Sequence, residues 1–237
     1  MPCAQARLRV LAVLLPMLLA PPPAGAEPQA VAELRLEDGR VVRLAGIEFP
    51  NGAPEIGALP TSAGVRLEPA APPQDRHGRL RAQVHATDGR WLQGELVREG
   101  AALVAPAEDV ADATLRALLA LEREAREARR GVWGGTAATA GPWPADAPQG
   151  LRAGYGLVTG RVVTVARARG FVYVNFGRRW RQDFTLRAEE RIARRLARQG
   201  LDLERLEGRN LIVRGMVFET DGPMIELVHP AQIEVLE

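Results

Sequence analysis

Two stretches of this 237-residue chain set side chains capable of chemistry at spacings that a fold can use. The first is Gln74 to Val104, QDRHGRLRAQVHATDGRWLQGELVREGAALV, which places polar residues where a binding site would want them. Arg79 stands at the mouth of a strand there, beside a tight His77-Gly78 bend, with Asp75 as a turn-forming residue. The second stretch holds Tyr173, Arg178, Arg179, Trp180 and Arg181. Aromatic and cationic side chains in that mixture suit base stacking and phosphate pairing, although core packing and ordinary surface roles account for the same residues. Cys3 is the one cysteine and lies in the N-terminal apolar segment, so the rest of the chain has no thiol for a nucleophile, a disulfide or a zinc cluster.

The elements around the first stretch follow from periodicity. Leu80, Ala82, Val84 and Ala86 alternate with Arg79, Arg81, Gln83 and His85, the pattern of a strand with one buried face. Thr87-Asp88-Gly89-Arg90 supplies a turn. Leu92, Leu96 and Val97 then share a helical face, with Gly100 at the helix end. Upstream, segments 30–37 and 40–47 flank Asp38-Gly39, a hairpin signal. Val65 to Leu67 reads as a short strand, and Glu68 to Gln74, with three prolines, as a loop. Downstream, a helix is expected from Asp112, with Leu115, Leu118, Leu119 and Ala125 inward and Glu122 and Arg126 paired on its surface.

The N-terminus carries Arg7 and Arg9, an apolar run from Val10 to Ala20 and then Ala24-Gly25-Ala26. That order predicts a signal peptide over residues 1–26, cleaved after Ala26, and a periplasmic or secreted protein with no stable membrane insertion. Two of the 31 arginines fall in that segment, leaving 29 against 29 acids. The balance is uneven: residues 27–150 hold 18 acids and 14 Arg, residues 151–237 hold 11 acids and 15 Arg. A neutral total argues against tight nonspecific DNA binding, which rests on phosphate neutralisation.

Residues 134–150, GGTAATAGPWPADAPQG, lack periodicity and contain three prolines, so they read as a linker between a domain over 27–133 and another over 151–237. The second half reads as three strands, a helix over 188–198 and two more strands. Five strands with a helix between the third and fourth is the element order of an OB-fold.

DRHGR followed by an apolar strand, then DGRWLQGELVREGAALV and a long helix ending ARRGVWG, resembles the staphylococcal-nuclease-like (thermonuclease) domain. Its corresponding loop reads Asp-x-Tyr-Gly-Arg. VRLAGIEFP, Val42 to Pro50, is similar to that family's Val-Arg-Leu-x-Gly-Ile-Asp-x-Pro-Glu strand. The resemblance implies a mainly β fold with some helix: a nuclease-like OB barrel with helices, followed by a second OB-like barrel.

It also implies a site. In the active family, Ca2+ is held by two aspartates, a glutamate handles the attacking water and two arginines clamp the phosphate. Carried over by position, the arginines are Arg43 and Arg79. The aspartates fall on Ala32 and Glu48, the latter the candidate metal ligand, and the glutamate falls on Asn51. Asn51 cannot take a proton from water, so the resemblance implies weakened or lost Ca2+-dependent hydrolysis. Glu33 or Glu55 would have to substitute in an active nuclease. A third reading is a non-catalytic envelope adaptor that binds protein or glycan through its OB surfaces. The partner expected first is nucleic acid or another phosphate-bearing anion. Arg43 and Arg79 are expected to converge with few carboxylates near them, repelling one another when no anion is bound; the alternative is that Glu48 or Glu33 pairs with them in a surface ion network.

Overall fold

Alternation of apolar and polar residues builds the strands that carry the candidate site. In Val42-Arg43-Leu44 and Ala82-Gln83-Val84, the apolar members are at most 2% exposed. The structure is a computed structural model that describes residues 32–36, 40–50, 64–75, 78–134, 141–147, 151, 153–179 and 181–236. The signal segment, Asn51, Glu55, His77 and Trp180 lie outside the described residues. The chain divides into two compact units, residues 1–104 with 108–137, and residues 138–237 with 105–107.

The first unit contains β1 (Glu33–Arg35), β2 (Val41–Leu44), β3 (Ile47–Glu48), β4 (Val65–Gln74) and β5 (Leu80–Ala86). Then come α1 (Leu92–Arg98), β6 (Leu103–Val104) and α2 (Asp112–Glu127), with a 3-10 turn at Gly131–Trp133. Its main sheet has the order β1-β2-β5-β4, with β2 and β5 parallel and the other pairs antiparallel. β3 pairs with β6.

Two sequence expectations fail in this unit. The proline-bearing segment Glu68 to Gln74 is strand, not loop: β4 continues to Gln74, with a register shift between Pro69 and Gln74. β4 ends the sheet order, and an edge strand tolerates prolines because one of its sides has no ladder to donate to. Glu122 is not a surface residue. It is fully buried, and its Oε1 accepts a 2.7 Å hydrogen bond from the Val104 N–H.

Another buried polar side chain, Gln93 on α1, extends the β5 ladder where β2 stops. Its Oε1 accepts from Val84 N–H at 3.0 Å and its Nε2 donates to the Ala82 carbonyl at 2.8 Å. The end of α2 is fastened to the end of α1 in a similar way. Arg130 Nη1 donates to the Arg98 carbonyl at 3.2 Å, and the Val132 N–H to the Gly100 carbonyl at 3.0 Å. The ARRGVW run is therefore the clasp between the two helices.

The second unit holds β7 (Trp143–Pro144), β8 (Gly154–Arg161), β9 (Thr164–Ala168), β10 (Phe171–Asn175) and β11 (Thr185–Glu189). α3 (Glu190–Arg198), β12 (Asn210–Glu219), β13 (Pro223–Glu226) and β14 (Ile233–Leu236) follow. The path β9-β10-β11-β13-β12-β8 returns to its start, because β8 and β9 are successive halves of one bent strand. The strand order and the helix after β11 are those of a five-stranded OB-like barrel. β11 and β13 are parallel, matching the β2–β5 relation in the first unit. Val158, Val172, Val174, Leu186, Leu211, Val213 and Ile225 fill the interior. Within the span read as a linker, residues 143–145 belong to this barrel: Trp143 and Pro144 pair with β8, and Ala145 is buried in its core. Among the described residues no helix is long and apolar enough to cross a membrane.

Candidate anion site

Strand register gathers the candidate residues on one face of the first unit's sheet. Glu33 on β1 stands opposite Arg43 on β2, and Arg43 stands beside Arg81 on β5. Arg79 is two residues before Arg81, so the strand period turns it to the same face. The chain then reverses through Gly46, whose φ of 83° suits glycine and whose added Cβ would lie 3.2 Å from Leu118. This turn returns Glu48 to Arg43, and the two form an ion pair.

Arg79 is held from two sides. Its backbone N–H donates to Asp75 Oδ1 at 3.0 Å, its Nε donates to Asp75 Oδ2 at 2.7 Å, and its guanidinium also pairs with Glu33. Gly78 N–H donates to the Asp75 carbonyl at 2.9 Å, so Asp75 closes the loop as well as orienting Arg79. Arg81 Nη1 lies 2.5 Å from Asp109 Oδ2, while its buried Nε has no hydrogen-bond partner among the described residues.

The structure gathers Arg43, Arg79 and Glu48 with Glu33, which the sequence offered as a substitute carboxylate, and with Asp75, Arg81 and Asp109, to which the sequence assigned no part in the site. The expectation of two arginines short of carboxylates is overturned. Glu48, Glu33 and Asp75 neutralise them, so mutual repulsion does not govern the face. Ala32, where the first aspartate was expected, is fully buried, and Glu33 is the acid that reaches the arginines. Arg81 was visible in the alternation that places it on the face of Arg79; Asp109 left no comparable signal.

Electrostatics set Glu48 apart. Burial pushes its pKa above the ordinary glutamate value, and the charge and hydrogen bond of Arg43, then the charges of Arg81 and Arg79, pull it back only in part. Burial disfavours the charge on Arg79, but the hydrogen bond it donates to Asp75 and the charge of Glu33 outweigh it, and the pKa of Arg79 is raised.

The described residues do not fit a Ca2+ ion. Ca2+ takes about 6–8 oxygen ligands, and among the described residues no three Asp, Glu, His or Cys side chains come together as a metal site. The two carboxylates nearest the implied position, Glu33 and Glu48, are each committed to a guanidinium. What this face can do is exchange: an incoming phosphate can replace a carboxylate on a guanidinium that is already oriented, since both anions match the planar fork. A cavity of about 260 Å³ in the same unit borders the site at Asp109; its other charged lining residues are Glu68 and Glu108, which do not suit an anion.

Residues 60–135 match the family model described as staphylococcal nuclease homologue. The matched span includes Asp75, Arg79, Arg81 and Asp109, while Glu33, Arg43 and Glu48 precede it. No curated protein matches the chain.

Proposed function

Because residues 60–135 match the family model described as staphylococcal nuclease homologue, we propose that the protein is an exported phosphodiester-binding member of that family with weakened or lost Ca2+-dependent hydrolysis. The observation that carries this reading is the row of Arg43, Arg79 and Arg81, in which every guanidinium is held by a carboxylate, while among the described residues no three metal-ligating side chains come together. Arg43 and Arg79 would clamp the phosphate oxygens, with Arg81 alongside. Asp75 would keep Arg79 oriented throughout, while Glu33 and Glu48 would give way. Glu48 is the easier to displace, because burial already favours its neutral form.

Cleavage needs a base for water and a cation or its equivalent at the developing charge. The arginines meet the developing charge in part, but with Asn51 where the resemblance places a glutamate the base for water is missing from that position. The readings in which substitute carboxylates restore the nuclease make Glu33 the first candidate, yet Glu33 is engaged by Arg79. The test is an assay on the chain from Glu27 onward with single-stranded DNA, Ca2+ and a chelator control. Binding with turnover far below that of a member holding all its acids supports the proposal. Rapid cleavage abolished by the chelator overturns it.

A further inference from the structure

The second unit carries a surface that the anion site does not involve. In β10, Val172 and Val174 are at most 1% exposed and enter the barrel core, so Phe171, Tyr173 and Asn175 face outward. Tyr173 stands opposite Arg187 on β11 and opposite Ala166 on β9. The Phe171 and Tyr173 rings lie 6.2 Å apart at 51°. The Arg187 guanidinium sits 4.8 Å from the centre of the Phe171 ring and 5.5 Å from that of Phe218 on β12. Two aromatic rings, Phe171 and Phe218, thus flank one cation on the outside of the barrel, and Tyr173 lies beside the Phe171 ring.

This placement is costly to explain as packing. The whole chain has five Phe and two Tyr, and three of these seven side chains lie on this outward face. On β9, the neighbours of the two β10 aromatics are Ala166 and Ala168, both exposed and too small to cover the rings. Two acids share the face, and each is neutralised: Glu226 lies 3.6 Å from Arg187 and Glu189 lies 3.5 Å from Arg191. Exposed arginines stand at both ends of β10: Arg169 in the turn before it, and Arg178, Arg179 and Arg181 in the loop after it. Residues 151–237 carry 15 Arg against 11 acids.

We propose that this face binds single-stranded nucleic acid, with bases stacking on Tyr173 and Phe171 and phosphates running between Arg169 at one end of β10 and Arg178 at the other. Rings offer every base a stacking surface regardless of sequence, and the arginines at the ends hold the backbone. Phe218 and Arg187 keep the Phe171 ring in place. The site is independent of Arg43 and Arg79, so it stands whether or not the first unit binds phosphate.

The test uses the chain from Glu27 onward with Arg43→Ala and Arg79→Ala, and a fluorescein-labelled twelve-nucleotide oligodeoxythymidine followed by anisotropy. Binding should persist in this background. Tyr173→Ala should weaken it about 5- to 150-fold, while Tyr173→Phe should keep it within about twofold by retaining the ring. Arg169→Glu with Arg178→Glu should weaken binding and flatten the slope of log affinity against log salt by roughly 1.4. Circular dichroism melts of each variant separate loss of binding from loss of fold. Equal affinity for Tyr173→Ala and its parent, with both folded, would overturn the proposal. So would binding of a chito-oligosaccharide through Tyr173 with none of the oligonucleotide.

Discussion

Glu48 is paired with Arg43 on a face where Arg79 and Arg81 also act on its charge, yet burial still holds its pKa above the ordinary glutamate value. Between the ordinary value of about 4.3 and the raised folded value, the native protein binds more protons than the unfolded chain. Stability therefore falls as pH rises through that window and levels off above it. Urea unfolding from pH 4 to 7 should show this slope, and Glu48→Gln should remove Glu48's contribution to it. An identical slope in the variant would mean that Glu48 is not the titrating group.

The same titration governs ligand exchange. Protonating Glu48 releases Arg43, so affinity for inorganic phosphate should rise as pH falls through the window while phosphate keeps its charge of at least one. In Glu48→Gln the dependence should flatten. Calorimetric titration at several pH values checks both, and an affinity that falls with pH in the wild type would contradict the exchange picture.

Arg79→Ala strips the partner from both Asp75 and Glu33 and removes a guanidinium that orders its own loop. The expected loss is about 1.5–3 kcal/mol, the range for hydrogen bonds to charged groups. A chemical denaturation curve reads it. A variant as stable as the wild type would return the arginine to a repelled, ligand-waiting state.

Gln93→Leu removes the acceptor of the buried Val84 N–H and one of the two donors to the Ala82 carbonyl, which still accepts from the Ala45 N–H at 3.1 Å. A loss of about 1–3 kcal/mol is expected, the cost of one buried donor left unsatisfied. Hydrogen exchange at Val84 should accelerate with it; unchanged protection there would place the Gln93 contribution elsewhere.

The sequence revealed the parts of this architecture that depend on local pattern. The five-residue step from Arg43 to Glu48 and the Asp75-to-Arg79 loop were readable because both are closed by short chain segments. Strand alternation exposed the barrel strands of the second unit for the same reason. What stayed hidden depends on partners far along the chain. Glu33 meets Arg79 only because β1, β2 and β5 are neighbours, and Asp109 meets Arg81 from the loop before α2. Glu122 reads as solvent-facing until Val104 supplies a buried donor. β4 and β7 carry prolines that local rules assign to loops, and only their places in a sheet show why they are strands. Trp143 belongs to the second unit for a similarly distant reason: its ring lies over Gly156, where an added Cβ would come within 2.1 Å of it.

The exchange of a phosphate for carboxylates at Arg43 and Arg79, without a metal, is tested most directly by calorimetric titration of the chain from Glu27 onward with a nucleoside 3′,5′-bisphosphate. The titration is run once with chelator and once with Ca2+. Binding of equal affinity in both conditions, lost in the Arg43→Ala, Arg79→Ala double variant, is the predicted result. Binding that appears only with Ca2+, or that survives unchanged in the double variant, would contradict it.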